Sequence, residues 1–161
     1  MSDAFETLGV SRRFTLNPQE LEQRHRDLSR ALHPDRHVSA APAERRVAME
    51  RAIAVNDAFR TLRDPLARAL ALLKLRGVTI EEGERASPAL LMEIMELREE
   101  LESARGKSEK IARLRGDVSA HIEREHRALA DALDRDGEVD KTTLARAREA
   151  AVKLKYLRRF E

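Results

Sequence analysis

The stretch ALHPDRH, residues 31–37, sets a histidine, a proline and an aspartate side by side at the end of a leucine-bearing helical pattern. Pro34 has no amide proton and pushes His33 away from helical geometry, so a helix that runs as far as Leu32 stops there. A polar corner is thereby held at a helix end. Two uses are open to it: a catalytic His/Asp pair, or an exposed tip that a partner protein reads. The other four prolines, at positions 18, 42, 65 and 88, fall where a helix begins, the place where a missing donor costs nothing. Pro34 alone is expected at a helix end.

Outward from the triplet, the caps mark the elements. Asn17-Pro18-Gln19-Glu20 reads as a capping box, with Asn17 as cap and Glu20 reaching back, and Asp64-Pro65 and Ser87-Pro88 repeat the order of cap then proline. Pro42 opens a segment with no evident cap. These marks predict helices over residues 3–8, 18–32, 42–62 and 65–76, the last stopped by Gly77. Leu21, Leu28 and Leu32 line one face of the second, while Ala48, Ala52, Val55, Phe59 and Leu62 recur at three or four residues along the third. The two stripes are expected to face each other as an antiparallel hairpin with His33-Pro34-Asp35 at its turn.

Residues 78–86 break the helical period and read as a linker. Three more helices are predicted, over 88–105, 108–135 and 141 to near the end, with Asp140 as a cap. Their short gaps favour an antiparallel three-helix bundle, and Gly116 inside the middle helix argues against a straight one.

Charged residues make up 37% of the chain and aromatics only 3%, which favours surface-rich helices over a sheet built on aromatic and β-branched residues. The 31 basic side chains are balanced by 29 acidic ones, so the net charge of +2 gives no strong field and does not call for nucleic acid. The absence of cysteine excludes disulfides, thiol nucleophiles and thiolate metal sites. The start, MSDAFETLGV, lacks a basic and apolar leader, and no segment approaches a membrane span; a soluble, cytoplasmic protein is expected.

A catalytic reading of His33 and Asp35 needs a concave pocket, which a turn between two charged helices does not offer. His33 and His37 are four apart, but Pro34 breaks the helix that would align them on a metal, and His37 is expected to be a solvated loop residue. His121 and His126 are five apart and read as surface or boundary residues. No metal and no cofactor are expected. Arg26 and Arg30 fall opposite the leucines of their helix, and His33 continues that stripe, so a basic face leads into the polar corner. An acidic protein partner suits it.

The helix after Pro88 carries two apolar stripes. Leu90, Ile94, Leu97 and Leu101 have the spacing of a buried face, while Leu91, Met92 and Met95 lie round the cylinder beside Glu96 and Glu99. Unbranched methionines next to acids suit an adaptable docking patch. On the last helix, Ala147, Ala151 and Leu154 mark the core stripe, and Val152 and Tyr156 are placed on its far side, where the only tyrosine has two readings: an amphipathic anchor for a partner, or a ring that caps the bundle edge.

His-Pro-Asp between two antiparallel helices, the first with a basic face, resembles the J-domain co-chaperones. The order LGV, HPDR, NDAFRTLRDPLARALALL and LMEIMELREEL is similar, over nearly the whole chain, to the HscB family, J-type co-chaperones of iron–sulfur cluster assembly. The resemblance implies an all-α, L-shaped protein: a J-domain over residues 1–77, a linker over 78–87, and a client-binding three-helix bundle over 88–161. It implies a partner ATPase of the heat shock protein 70 family, of the HscA type, docked by Arg26, Arg30, His33, Pro34, Asp35 and Arg36, whose ATP hydrolysis is accelerated while this chain breaks no bond itself. It assigns Leu91, Met92, Met95, Glu96, Glu99 and Tyr156 to the cluster scaffold IscU. Methionine and tyrosine stand where leucine and phenylalanine are common in relatives, and the cysteine metal module of some relatives is absent. A monomer or weak dimer is expected.

Two alternatives are a J-domain protein for another client and a helical nucleic-acid-binding protein. Five glutamates against one arginine in residues 93–102 speak against the second.

Overall fold

The computed structural model describes residues 2–81 and 86–160, apart from the side chain of His37; part of the predicted linker therefore lies outside the described residues. Among them there are seven α-helices and no strand: α1 (Ala4–Leu8), α2 (Pro18–Ala31), α3 (Pro42–Arg63), α4 (Pro65–Leu75), α5 (Pro88–Ser103), α6 (Ser108–Leu133) and α7 (Lys141–Leu157). The chain is all-α, as its composition and periodicity require. It divides into two compact units, residues 1–72 and 73–161, and the division falls inside α4.

The first unit is built on α1, α2 and α3. α1 is only five residues long and cannot persist on propensity alone. It is fixed at both ends. Asp3 accepts the N–H groups of Phe5 and Glu6 at 2.8 and 3.0 Å, and Gly9, at φ +64°, turns the chain so that the next N–H, that of Val10, returns to the Phe5 carbonyl. Phe5 and Leu8 are thereby buried with Leu62. The Arg12 guanidinium closes on the Asp3 carboxylate at 2.7 Å and also pairs with Glu6.

Partial burial raises the pKa of Asp3, but the Glu6 N–H and the Arg12 guanidinium outweigh it and leave the carboxyl below its ordinary value. A depressed carboxyl stabilises the fold above the unfolded pKa, and that contribution is lost as pH falls through the folded one. The thermal midpoint of the first unit is expected to fall as pH drops below the ordinary aspartate range, and Asp3→Asn, which keeps a capping oxygen but does not titrate, should flatten that part of the profile. A wild-type slope unchanged in the variant contradicts this role.

α2 and α3 run antiparallel. Leu32 borders the same hollow as Ala48, whereas His25, seven residues earlier, meets Asn56, eight residues later. Leu21, Ala48, Val55, Ala58 and Leu62 are buried between them, with Leu28, Leu32, Ala52 and Phe59 half-buried. Ala58 joins the stripe predicted for α3, and Phe59 sits at its edge, where its ring stacks on the His25 imidazole with centroids 4.1 Å apart.

In the second unit α5, α6 and α7 enclose a core of Leu90, Ile94, Leu97, Val118, Ile122, Leu129, Leu133, Ala147, Ala151, Leu154 and Leu157. α6 runs unbroken through Gly116. Two expectations fail. Val152 is buried, because α7 packs against both α5 and α6 and so buries an arc wider than one stripe. Leu101 is 42% exposed, and the buried position at this end of α5 is taken by its C-cap residue, Ala104, three residues on.

The predicted caps form: Asn17, Asp64, Ser87 and Asp140 each accept N–H groups of the following turn, and Ala41 before Pro42 makes no side-chain cap bond. Glu20, expected to reach back to Asn17, lies 3.9 Å from Arg24 one turn on. The far end of α6 is closed by a residue with no sequence signal, Arg76, which donates to the carbonyls of Ala132, Leu133 and Arg135 at 3.3, 2.8 and 3.4 Å. A cation on the last carbonyls of a helix satisfies orphan acceptors and opposes the helix dipole. Arg76→Ala is expected to destabilise the second unit by about 1–3 kcal/mol in chemical denaturation; an unchanged midpoint contradicts the clasp.

Candidate docking surfaces

α2 ends at Ala31, and Leu32 closes it with a bond to the Leu28 carbonyl. His33 takes the extended geometry that a following proline demands, φ −61° and ψ 134°. Pro34 then opens a one-turn 3₁₀ helix, Pro34–His37. The proline expected to differ from the others is thus also an opener; the chain resumes helical turning at once, with a tighter pitch. His33 caps this turn: its Nδ1 accepts the Asp35 N–H at 3.3 Å, and its carbonyl accepts the Arg36 N–H at 3.0 Å. The imidazole is occupied in shaping the corner.

The Asp35 carboxylate, 3.5 Å from His33 Nδ1, is 86% exposed, and the His33 side chain is 58% exposed. Two groups this open to water have no enclosed substrate to act on. They present a fixed anion and a ring edge to whatever approaches. Arg26 and Arg30 lie along α2 toward the corner, and Arg36 follows it. Arg26 is held by Glu22 at 3.4 Å and Gln23 at 2.9 Å. The structure therefore brings all six residues assigned to this surface to the last turns of α2 and the turn beyond it.

The second surface lies on α5. Leu91, Met92 and Met95 are 43, 64 and 61% exposed, and Glu96 and Glu99 are exposed beside them. Tyr156, on α7, is half-buried, with the Arg159 guanidinium 5.3 Å from its ring centroid. A charged cluster beside the α5 face has no counterpart in the sequence-based expectations. Glu93, next to Met92, meets Lys153 of α7 at 3.0 Å and His121 of α6 at 3.4 Å, and Lys153 also meets Glu125 of α6 at 3.6 Å. This charged knot ties all three helices together beside the buried stripe of Leu90, Ile94 and Leu97, whose burial leaves Met92 and Met95 outward. Its sequence signal is a lysine set inside the apolar run AAVKL of α7. His121, expected at the surface or a boundary, is half-buried beside Glu93.

Among the described residues no group of three or more His, Asp or Glu side chains is arranged to hold a metal, and no helix is long and apolar enough to cross a membrane.

A helical hairpin carrying His-Pro-Asp at an exposed tip, followed by a three-helix unit with an apolar outer face, defines a J-domain co-chaperone. Residues 86–161 match the family model described as the HSCB C-terminal oligomerisation domain. The chain is 40% identical to the co-chaperone protein HscB homolog of Bordetella pertussis over 138 residues, 84% of this chain and 81% of that one. It is 36% identical to the homolog of Ralstonia nicotianae over 165 residues, 98% and 89% of the two chains. Among solved structures, the chaperone HscB from Vibrio cholerae superposes with a TM-score of 0.82 at 32% identity, covering 98% of this chain and 92% of that one. The human co-chaperone protein HscB gives 0.86 at 27% identity, covering 99% and 78%. The chain belongs to the HscB co-chaperone family.

Proposed function

We propose that this co-chaperone delivers an IscU-type cluster scaffold to an HscA-type ATPase of the heat shock protein 70 family and accelerates ATP hydrolysis there, aiding the maturation of iron–sulfur proteins. The observation that carries the reading is that each unit exposes groups its own packing does not need: the Asp35 carboxylate on the hairpin, and the Leu91, Met92 and Met95 side chains on the bundle. Arg26, Arg30, His33, Pro34, Asp35 and Arg36 would meet the ATPase. Leu91, Met92, Met95, Glu96, Glu99 and Tyr156 would meet the scaffold. The tip acts by binding one conformational state of the ATPase more tightly than the other, since equal binding to both shifts nothing.

The test is single-turnover hydrolysis by the ATPase with this chain, with the scaffold, and with both. Stimulation by the two together that exceeds the sum of each alone supports delivery. Purely additive rates contradict it.

A further inference from the structure

We propose that Met92 and Met95 are sites of reversible oxidation by hydrogen peroxide, and that sulfoxide formation there switches off the client face of α5. The proposal rests on the scaffold-docking role given above.

The chain has four methionines and no cysteine. Met49, Met92 and Met95 are 65, 64 and 61% exposed; Met1 lies outside the described residues. Thioethers ordinarily fill gaps in a core. Here each described one faces water, and no thiol in the chain competes for oxidant. Glu96 and Glu99, one helical turn beyond Met92 and Met95, repel anionic oxidants and leave neutral peroxide unhindered.

In the reaction a sulfur lone pair attacks one peroxide oxygen. The S–O bond forms as the O–O bond breaks, sulfur gives up two electrons, and the departing hydroxide takes the proton of the oxygen that stays on sulfur and leaves as water. The product is a methionine sulfoxide, and a methionine sulfoxide reductase drawing two electrons from a dithiol reverses it. The sulfoxide oxygen is a polar acceptor. Buried against an apolar client surface without a donor, it opposes docking where the thioether favoured it.

The test treats the full chain with hydrogen peroxide, locates added oxygen by peptide mass, and titrates the product with the IscU-type scaffold. Scaffold binding is expected to weaken by about tenfold or more, with the helical melt unchanged. Treatment should leave the scaffold affinity of the Met92→Leu, Met95→Leu variant at its own untreated value, whatever that value is, although Met49 is oxidised, and Met49→Leu, which lies outside the docking face, should lose affinity on treatment as wild type does. Oxidised wild type that binds as tightly as untreated protein overturns the switch alone. A leucine variant that loses affinity on treatment also overturns it, by placing the sensitive group elsewhere. Untreated wild type that fails to bind the scaffold overturns the docking role itself, and the switch with it.

Discussion

Asp35→Asn is expected to reduce stimulation of the partner ATPase by about 30-fold or more, to near its basal rate, while the thermal melt of the chain stays where it was. The asparagine fits the same space, and the 3₁₀ turn is shaped by the Asp35 N–H and the His33 ring and carbonyl, none of which changes. What is lost is one negative charge, held 86% in solvent, whose approach to a described side chain is the 3.5 Å one to His33. An exposed charge that contributes little to folding can be kept for a partner cation, and truncating one member of a charge pair that a complex desolvates costs several kcal/mol. Single-turnover hydrolysis reads the effect. Full stimulation by the variant would remove the tip from the mechanism, and a lowered melting temperature would show that the carboxylate serves the fold.

The second large effect lies at the other surface. Met92→Ala with Met95→Ala is expected to weaken scaffold binding by about 100-fold, because each side chain that a complex buries contributes roughly 1.5–3 kcal/mol and truncation removes most of it. Folding should be unaffected, since Met92 and Met95 are 64 and 61% exposed in the free protein. Their backbone and the knot at Glu93, Lys153 and Glu125 remain to hold α5 in place. Calorimetric titration measures the change. Wild-type affinity in the double variant would move the client surface off α5, and a loss of helicity would make these side chains part of the core.

Local chemistry is legible in the amino-acid sequence by itself. Asn17, Asp64, Ser87 and Asp140 announce helix starts because a capping bond reaches only two or three residues along the chain. The α5 face is legible for a similar reason, since Leu90, Ile94 and Leu97 share one side of a cylinder at fixed angular spacing, which leaves Met92 and Met95 on another.

Features that depend on a neighbour from far along the chain leave no such mark. Arg76 reaches carbonyls 56 to 59 residues away, and nothing in its own surroundings signals it. His25 stacks on Phe59 and meets Asn56, 31 residues on, so its role follows from the hairpin register and not from α2. Val152 escapes the periodicity because a repeat of three and four describes one buried stripe, whereas a helix with two packed neighbours buries a wider arc. Pro34 escapes it because a 3₁₀ turn is too short to show any period.

The central claim is that the chain holds two independent docking surfaces, one for the ATPase and one for the scaffold. Backbone amide NMR, with each partner added in turn, tests it most directly. The ATPase is expected to shift signals from Arg26 to Arg36 and leave α5 unmoved, while the scaffold shifts Leu91, Met92, Met95, Glu96, Glu99 and Tyr156 and leaves the tip unmoved. Scaffold binding that perturbs Asp35, or that leaves Met92 and Met95 silent, would contradict it.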